Sequence, residues 1–536
     1  MKPKALIITI IFAVFLSSGC RPGETPVRPN IILIMADDIG FSDVGYYGSE
    51  IHTPNIDRLA ENGLRFRTFY NMAKCNPTRS SLLTGLYHGG NGAVHIAQLA
   101  RDAGYYTVMS GKEHFDPWVP EYCRAERVFD HSFYFWATTE YFVPPSGKFE
   151  RPFFLEGKQI GAHEIEAEKT PLYKTDFITD YALRWLDEAF QNKEPFFLYL
   201  PYHAAHYPLQ ARPEDIATYR GSYMNGWDEV RIRRYQKMKS LGVISENTLL
   251  SEPTDNINRF RGPYISEYTD YYPWEPLSEG KKDSLDLEMA VFAAMVDRMD
   301  RNIGRVLSKL EEQGVLENTL IMFLADNGSC PYYSNKIPDV QPGPANSYWS
   351  LRSAWANAGN TPYRYFKQYG HEGGSHTPFI ACWPGMIEPG SITDQVGHVV
   401  DIAPTLLDIL GTEYPDTIQG YPTIPMHGSS LLPVFKGKER EEPSFFISGL
   451  ERHRMFRMGA WKIARVNGQA WELYNVQDDP SETTNLAETY PVRVKQLGNT
   501  YEEIWEEIVS SNDSEGVSLP PRTITRYAGR RYLPAH

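Results

Sequence analysis

Three nearly continuous apolar runs form the most regular pattern in the chain. They span residues 30–36, 195–200 and 320–325 and show no alternation between polar and apolar positions. A strand that is apolar on both faces is typical of a parallel sheet covered by helices on both sides. The pattern therefore predicts an α/β fold built on a large, mainly parallel sheet.

Helical spacing of apolar residues fills much of the chain between these runs. Predicted helices cover residues 55–62, 95–103, 177–190, 285–310 and 404–410, and two further strands cover 105–110 and 379–383. Residues 212–284 are polar and rich in Pro and Tyr, so we predict an insertion that crosses the surface. Beyond residue 439, short β segments precede a helix over 492–509. We predict a large domain over 30–438 and a smaller C-terminal α+β subdomain over 439–536.

The N-terminus has the pattern of an export signal. Two early Lys residues precede an apolar run, and the run ends in Leu16-Ser17-Ser18-Gly19-Cys20. This ending resembles a bacterial lipobox, so residues 1–19 are predicted as a lipoprotein signal peptide and 20–29 as a tether. The protein is then expected in the periplasm or at the outer membrane, anchored by lipidated Cys20. The alternative is an ordinary secretory signal cleaved nearby.

Composition indicates which ligands are unsuitable and whether disulfide bonds stabilise the fold. The 536 residues carry a net charge of −14, which argues against general binding of nucleic acid. An anionic substrate would therefore need a local basic cluster. If Cys20 is lipidated and Cys75 is modified, three of the five Cys residues remain, so disulfides are not the main support of the fold.

Two of the predicted core strands end in oxygen-donor side chains. Asp37 and Asp38 follow the first run, and Asp326 and Asn327 follow the third. Each pair alone is an ordinary strand-end turn. Open α/β sheets, however, bind ligands at the carboxyl ends of their strands, and Ca²⁺ and Mg²⁺ prefer oxygen ligands. Together the pairs predict one site for a divalent cation.

The stretch from Cys75 to Gly85 predicts a short helix with an anion-attracting start. Pro77 suits its first turn, Gly85 suits its C-terminal cap, and Arg79 adds a permanent cation one turn after Cys75. A single Cys near a helix start is ordinarily a buried packing residue. The complete string, Cys-x-Pro-x-Arg followed by Leu-Leu-Thr-Gly, instead resembles the signature of the formylglycine-dependent sulfatase family.

Further segments extend this resemblance over nearly the entire mature chain, and they are most similar to bacterial arylsulfatases. They comprise residues 226–228, 289–302, 326–328, 355–358, 372–374, 471–475 and 479–480. The resemblance implies an alkaline-phosphatase-like fold, and oxidation of Cys75 to formylglycine (3-oxoalanine) by a maturation enzyme. It also implies one Ca²⁺, with Mg²⁺ as the alternative. The implied ligands are Asp37, Asp38, Asp326, Asn327 and the residue-75 hydrate.

The same resemblance implies roles for five basic residues. Arg79 would steady the formylglycine, and the sulfate and leaving group would be bound by Lys112, His114, His206 and Lys367. The implied reaction is double displacement on a sulfate ester: the hydrate attacks sulfur, His206 protonates the departing alcohol, and the sulfated hydrate collapses to aldehyde and sulfate. Export suggests sulfated polysaccharide as the source of the ester, with aryl sulfates also cleaved.

Four other positions carry weaker expectations. His203 is expected to pack behind the site, His371 to lie where it can touch substrate, and His398 to be structural. Glu113 is expected to add a carboxylate beside the sulfate-binding cations. Two other functions stay open: a phosphomonoester or phosphonate-ester hydrolase of the same superfamily, and a sulfated-glycan-binding lipoprotein without turnover.

Overall fold

The computed structural model describes residues 28–114, 119–136, 140–143, 152–165, 171–254, 271–449, 453–466 and 469–512. The predicted signal peptide, the lipobox and most of the tether lie outside the described residues. In the described part of the chain, no helix is both long and apolar enough to cross a membrane.

The strands are β1 (Asn30–Ala36), β2 (Leu64–Phe66), β3 (Phe69–Tyr70), β4 (Tyr106–Lys112), β5 (His131–Phe135), β6 (Phe142–Val143), β7 (Phe153–Leu155), β8 (Lys158–Ile160), β9 (Leu172–Tyr173), β10 (Phe196–Pro201), β11 (Thr319–Ala325), β12 (Phe379–Cys382), β13 (Ser391–Thr393), β14 (Gly397–His398), β15 (Thr417–Ile418), β16 (Tyr421–Pro422), β17 (Phe446–Ser448), β18 (Met455–Met458), β19 (Trp461–Ala464) and β20 (Glu472–Asn475). The helices are α1 (Pro54–Glu61), α2 (Cys75–Thr84), α3 (Ile96–Asp102), α4 (Ala125–Val128), α5 (Lys174–Asn192), α6 (Pro213–Tyr219), α7 (Gly226–Ser240), α8 (Glu279–Glu312), α9 (Ser353–Gly359), α10 (Glu372–Ser375), α11 (Ile402–Leu410), α12 (Leu432–Phe435) and α13 (Pro491–Asn512).

The main sheet has the strand order β13-β2-β12-β11-β1-β10-β4-β5-β7-β8. Its five central strands, β11 to β5, are mutually parallel, whereas β12 and β7 pair antiparallel at either side. Successive residues of β1 face opposite sides: Ile32 and Ile34 belong to one hydrophobic core, Ile31 and Leu33 to the other. The predicted fold, a large mixed and mainly parallel sheet between helices, is confirmed.

A second, four-stranded antiparallel sheet, β17-β18-β19-β20, lies in the C-terminal region. Its apolar residues, such as Phe456 and Ile463, join the same core as α3 and α11. β18 and β19 pair antiparallel and are joined at Gly459, which has a φ of 57°. The boundary placed at residue 439 stays a prediction.

The predicted surface insertion over 212–284 is wrong for its described residues. It holds α6, α7 and the first turns of α8, and Trp227 is completely buried against Trp274 and Trp355. The segment is polar in sequence, but some of its charged residues are buried in ion pairs. Arg234, for example, lies 2.6 Å from Asp43. A buried, paired charge has the same sequence pattern as an exposed one.

Burial of His398 predicts a pH-dependent stability. Its Nδ1 accepts from the Val400 N–H, and burial lowers its pKa from the ordinary 6.5 to about 3. Below pH 6.5 the unfolded chain gains a proton at this position that the folded chain does not. The free energy of unfolding therefore falls, at this residue, by about 1.4 kcal/mol for each unit by which the pH is lowered. His398→Asn should therefore show a smaller loss of unfolding free energy between about pH 6.5 and pH 5 in urea titrations. Equal losses in the two proteins would contradict the assignment.

Candidate active site

Four neighbouring parallel strands deliver the candidate site residues to one edge of the main sheet. Asp37 follows β1, Asp326 follows β11, Lys112 ends β4, and the segment carrying His206 follows β10. Backbone hydrogen bonds hold these strand ends together, since Asp37 N donates to Ala204 O at 2.9 Å and Asp326 N donates to Ala36 O at 3.1 Å. The sequence-predicted residues therefore converge in space.

The four expected metal ligands lie together and are buried. Asn327 Nδ2 donates to Asp38 Oδ1 at 2.8 Å, and the Asp38 N–H lies 3.3 Å from Asp326 Oδ1. Among the described residues, three buried oxygens of this set lack a hydrogen-bond partner: Asp37 Oδ1, Asp38 Oδ2 and Asn327 Oδ1. Buried polar atoms are rarely left unpaired. Three such oxygens on one sheet edge fit a hard divalent cation.

Three basic side chains surround these carboxylates. Arg79 donates through Nε and Nη2 to Asp326 Oδ2 at 3.1 and 2.7 Å, and Lys112 Nζ lies 2.6 Å from Asp37 Oδ2. Lys367 Nζ donates to Asp38 Oδ1. Each basic side chain thus bonds one carboxylate, Arg79 also lies 3.7 Å from Asp37 Oδ2, and all six side chains are buried.

This arrangement shifts the acid pKa values in different directions. Burial alone would raise the pKa of Asp37, but the charges of Lys112 and Arg79 hold that pKa well below its usual range. For Asp326, burial and the nearby Asp37 charge raise the pKa well above its usual range, although Arg79 opposes them. A cation shared among the three carboxylates would relieve that repulsion.

Cys75 is the first residue of α2, which begins and ends as predicted. Gly85 closes the helix in the left-handed region at a φ of 74°, and its N–H bonds the Ser81 carbonyl at 2.9 Å. The Cys75 thiol is only 3% exposed, and it lies near enough to Arg79, Asp326 and Lys367 to influence their pKa values. The candidate nucleophile position therefore borders both the cations and the acidic cluster.

The two candidate proton-transfer residues are buried, neutral His side chains. His206 Nδ1 lies 2.7 Å from the Tyr207 carbonyl, which fixes the proton on Nδ1, while Nε2 lies 3.4 Å from Asp38 Oδ2. Burial lowers the pKa of His206 to about 3. For His114, burial, Lys112 and Arg79 together hold the pKa well below its usual range.

His206 also belongs to a group that can hold a metal. One donor atom from each of Asp37, Asp38 and His206 lies within 4.8 Å of the others. The resemblance implies that His206 contacts the leaving group. In the structure its Nε2 faces the acidic cluster.

Two of the weaker expectations are wrong, because each side chain is bonded to a partner away from the acidic cluster. The His371 ring is buried and its Nε2 bonds Glu472 at 2.6 Å, so it faces the C-terminal sheet and not the acidic cluster. Glu113 follows the last residue of β4, and its carboxylate is turned away from the cations by two hydrogen bonds. Its carboxylate accepts from Ala125 N at 2.9 Å and from Trp136 Nε1 at 2.6 Å.

The other two expectations agree with the structure. His398 is buried at the start of a short helical turn, and its Nε2 bonds the Ile447 carbonyl at 3.0 Å. His203 packs behind the site, with its ring stacked between Tyr141 and His206 at 5.0 and 5.1 Å.

Sequence reasoning missed two residues at the site. Cys330 is buried beside Asp38 and Lys367, and its position three residues after Asn327 was a usable signal. Lys174 is buried with its Nζ 4.9 Å from the Phe135 ring and 4.6 Å from the Tyr141 ring, close enough to Lys112 for each charge to oppose the other. A Lys at a helix start gives no sequence sign of such burial.

Two family models match the chain. One, described as Sulfatase, matches residues 29–412, and another, described as N-sulphoglucosamine sulphohydrolase, C-terminal, matches residues 362–509. The first match covers well over half of the chain. The chain belongs to the sulfatase family. It is a sulfuric ester hydrolase.

Curated relatives and solved structures agree with this assignment. The sulfatase is 30% identical to an arylsulfatase of Klebsiella aerogenes, over 82% of this chain and 98% of that protein. It is 26% identical to an N-acetylglucosamine-6-O-sulfatase of Bacteroides thetaiotaomicron, over 96% and 93% of the two chains.

Among solved structures, Ps i-CgsB in complex with k-i-k-neocarrahexaose superposes with a TM-score of 0.64 at 24% identity, covering 94% of this chain and 98% of that one. The phosphonate monoester hydrolase of Agrobacterium radiobacter superposes at 0.55 with 19% identity, over 90% and 96% of the two chains. These two likenesses show the shared alkaline-phosphatase-like fold.

The Arg79 contacts predict a stability effect in this sulfatase. Arg79→Lys removes the two-pronged contact with Asp326 and leaves a buried carboxylate poorly paired, so unfolding free energy should fall by about 3 kcal/mol. Arg58→Lys is the matched control, because Arg58 pairs with Glu311 at 41% and 44% side-chain exposure and should lose less than about 1 kcal/mol. Equal losses in denaturant titrations would contradict the account.

Proposed function

We propose that this sulfatase hydrolyses sulfate esters of carbohydrates, and aryl sulfates as well, with a formylglycine made from Cys75 and one divalent cation, Ca²⁺ by preference. One observation carries the proposal: the first residue of α2 borders both the acidic cluster and the basic side chains Arg79 and Lys367. A sulfate ester is anionic, and it needs such a concentration of cations in a chain whose net charge is −14.

The two bound groups would supply the nucleophile and the Lewis acid: hydrated formylglycine provides an oxygen nucleophile, and the cation polarises the ester oxygens. The fit of the cation rests on the three unpaired oxygens of Asp37, Asp38 and Asn327. Lys112 and Lys367 bind and orient the sulfate group, and their charges also stabilise the negative charge that grows on the leaving oxygen.

Two His residues are suited to move protons at the site. His206 is oriented by its Nδ1 contact with Tyr207, so Nε2 is the nitrogen left for proton transfer. Nε2 carries no proton in this tautomer, so it has to take up the proton that the attacking hydroxyl group releases before it protonates the departing alcohol. His114 is neutral because its pKa lies well below the usual range, and a neutral imidazole accepts a proton. Arg79 holds Asp326 and the Lys112 carbonyl, which keeps the sheet edge rigid.

The substrate class rests on the relatives' names and on the expected export. One relative is named for a sulfated sugar and another for aryl sulfates. We propose that the chain is an exported lipoprotein anchored at Cys20 that releases sulfate from sulfated polysaccharide, after conversion of Cys75 by a formylglycine-generating enzyme. The phosphoryl alternative is kept because a phosphonate monoester hydrolase shares the fold.

Production together with a formylglycine-generating enzyme tests the proposal. The protein, with Ca²⁺ present, is given aryl sulfate and aryl phosphate esters that share the same leaving group. We expect faster sulfate release, and Cys75→Ala should lower it by at least about a thousandfold because the nucleophile is lost.

Cys123→Ala is the matched control, since Cys123 is another buried thiol, at the Ala93 carbonyl and not at the sheet edge. It should leave sulfate release unchanged. Faster phosphate release would replace the proposed reaction by the phosphoryl alternative. Full activity in Cys75→Ala would exclude the formylglycine mechanism.

A further inference from the structure

Glu372 is a buried carboxylate that connects two distant parts of the chain outside the acidic cluster. It begins α10, five residues after Lys367. Its Oε1 accepts from Lys462 Nζ of β19 at 2.6 Å and from the Tyr70 hydroxyl at the end of β3 at 2.9 Å. Although burial opposes ionisation, Lys462 holds the pKa of Glu372 below its usual range, so the carboxylate is charged.

Tyr70 begins the segment that leads into the candidate nucleophile. Its hydroxyl bonds the first residue of α10, and Asn71 N donates to Ser375 O at 2.8 Å, so the segment is bonded to both ends of that helix. Asn71 Oδ1 in turn accepts from Ala73 N at 2.7 Å, two residues before Cys75. The position of Cys75 therefore depends on the position of α10.

The same short helix supports the loop that carries Lys367. Gly374 lies so close to this loop that an added Cβ would be 2.3 Å from Phe366 O and 2.0 Å from Tyr369 O. Only a glycine permits such an approach of two backbones. Close-packed interiors transmit small displacements. Lys367 is thus supported by α10 through the residues on either side of it.

A direct hydrogen bond joins the two supported segments. Gln368 N donates to Ala73 O at 2.6 Å, and these residues lie in the left-handed region at φ angles of 81° and 58°. Residues other than glycine seldom adopt this conformation, which persists only where the surrounding structure imposes it. Cys75 and Lys367 are therefore held in a fixed relative position, and the helix that begins at Glu372 supports both.

We propose that Tyr70 and Glu372 are positioning residues for sulfate ester cleavage: their hydrogen bond keeps the nucleophile at residue 75 and Lys367 in the geometry that the reaction needs. This inference rests on the proposed function. Both side chains are buried, and they act through the groups they hold, without touching the substrate. Lys462 supplies the opposite charge from β19, so the C-terminal sheet takes part in placing the catalytic groups.

The kinetics of aryl sulfate hydrolysis test the inference. Tyr70→Phe removes one hydroxyl, and Glu372→Gln removes one charge. A misplacement of about 1 Å can cost about a hundredfold in rate, so we expect each variant to lower kcat by about ten- to a hundredfold and to change KM by less than about twofold. All proteins are produced with a formylglycine-generating enzyme, and kcat is expressed per chain converted at Cys75, as measured by peptide mass.

Tyr47→Phe is the matched control, because Tyr47 is another completely buried Tyr. Its hydroxyl lies 3.1 and 2.8 Å from the Phe66 and Phe379 carbonyls. The two Tyr→Phe variants should lower the urea midpoint of unfolding by similar amounts, but Tyr47→Phe should leave kcat unchanged. If Glu372→Gln does not fold, the comparison of the two Tyr variants still decides.

Equal kcat values for Tyr70→Phe and Tyr47→Phe would overturn the inference, and so would a rise in KM without a fall in kcat. Converted wild-type protein that releases no sulfate would contradict the proposed function and this inference with it. Active wild-type protein together with an unaltered Tyr70→Phe would contradict this inference alone, so the two failures give different results.

Discussion

Three carboxyl groups buried at one sheet edge are the constraint on which the rest of this sulfatase depends. Asp37, Asp38 and Asp326 are at most 1% exposed, and unpaired charges at such depth are strongly destabilising. One basic side chain lies against each of them, so three basic groups face three acidic ones. A bound divalent cation would make the edge net positive. An acidic protein would thereby gain a site for an anionic ester.

The C-terminal region contacts the segment that carries Lys367, one of the three basic residues at this sheet edge. Glu372, five residues later, accepts from Lys462 Nζ at 2.6 Å and from the Tyr70 hydroxyl at 2.9 Å. Lys462, which is completely buried on β19, also pairs with Glu482 at 2.8 Å. The second sheet thus helps to hold the segment that carries Lys367.

Local sequence patterns predicted what is determined locally. The apolar runs gave the central strands, their polar ends gave the acidic cluster, and Pro77 with Gly85 gave the bounds of α2. Hydrogen bonds and ion pairs between residues that are distant in sequence could not be predicted. Glu113 turns toward Trp136, His371 binds Glu472 a hundred residues on, and the helices of the supposed insertion hide charges that pair only in the folded chain. Whether a polar residue is exposed or buried in a pair depends on the tertiary structure.

Sulfate binding with and without a divalent cation tests the central claim most directly. Wild-type protein is stripped of metal, titrated with inorganic sulfate by calorimetry, and titrated again after calcium is added. The account predicts at least about tenfold tighter sulfate binding with calcium, because the cation changes a balanced cluster into a positive one. Asn327→Ala should reduce this difference. Equal sulfate affinity in the two states would contradict the claim that this sheet edge becomes an anion site through a bound cation.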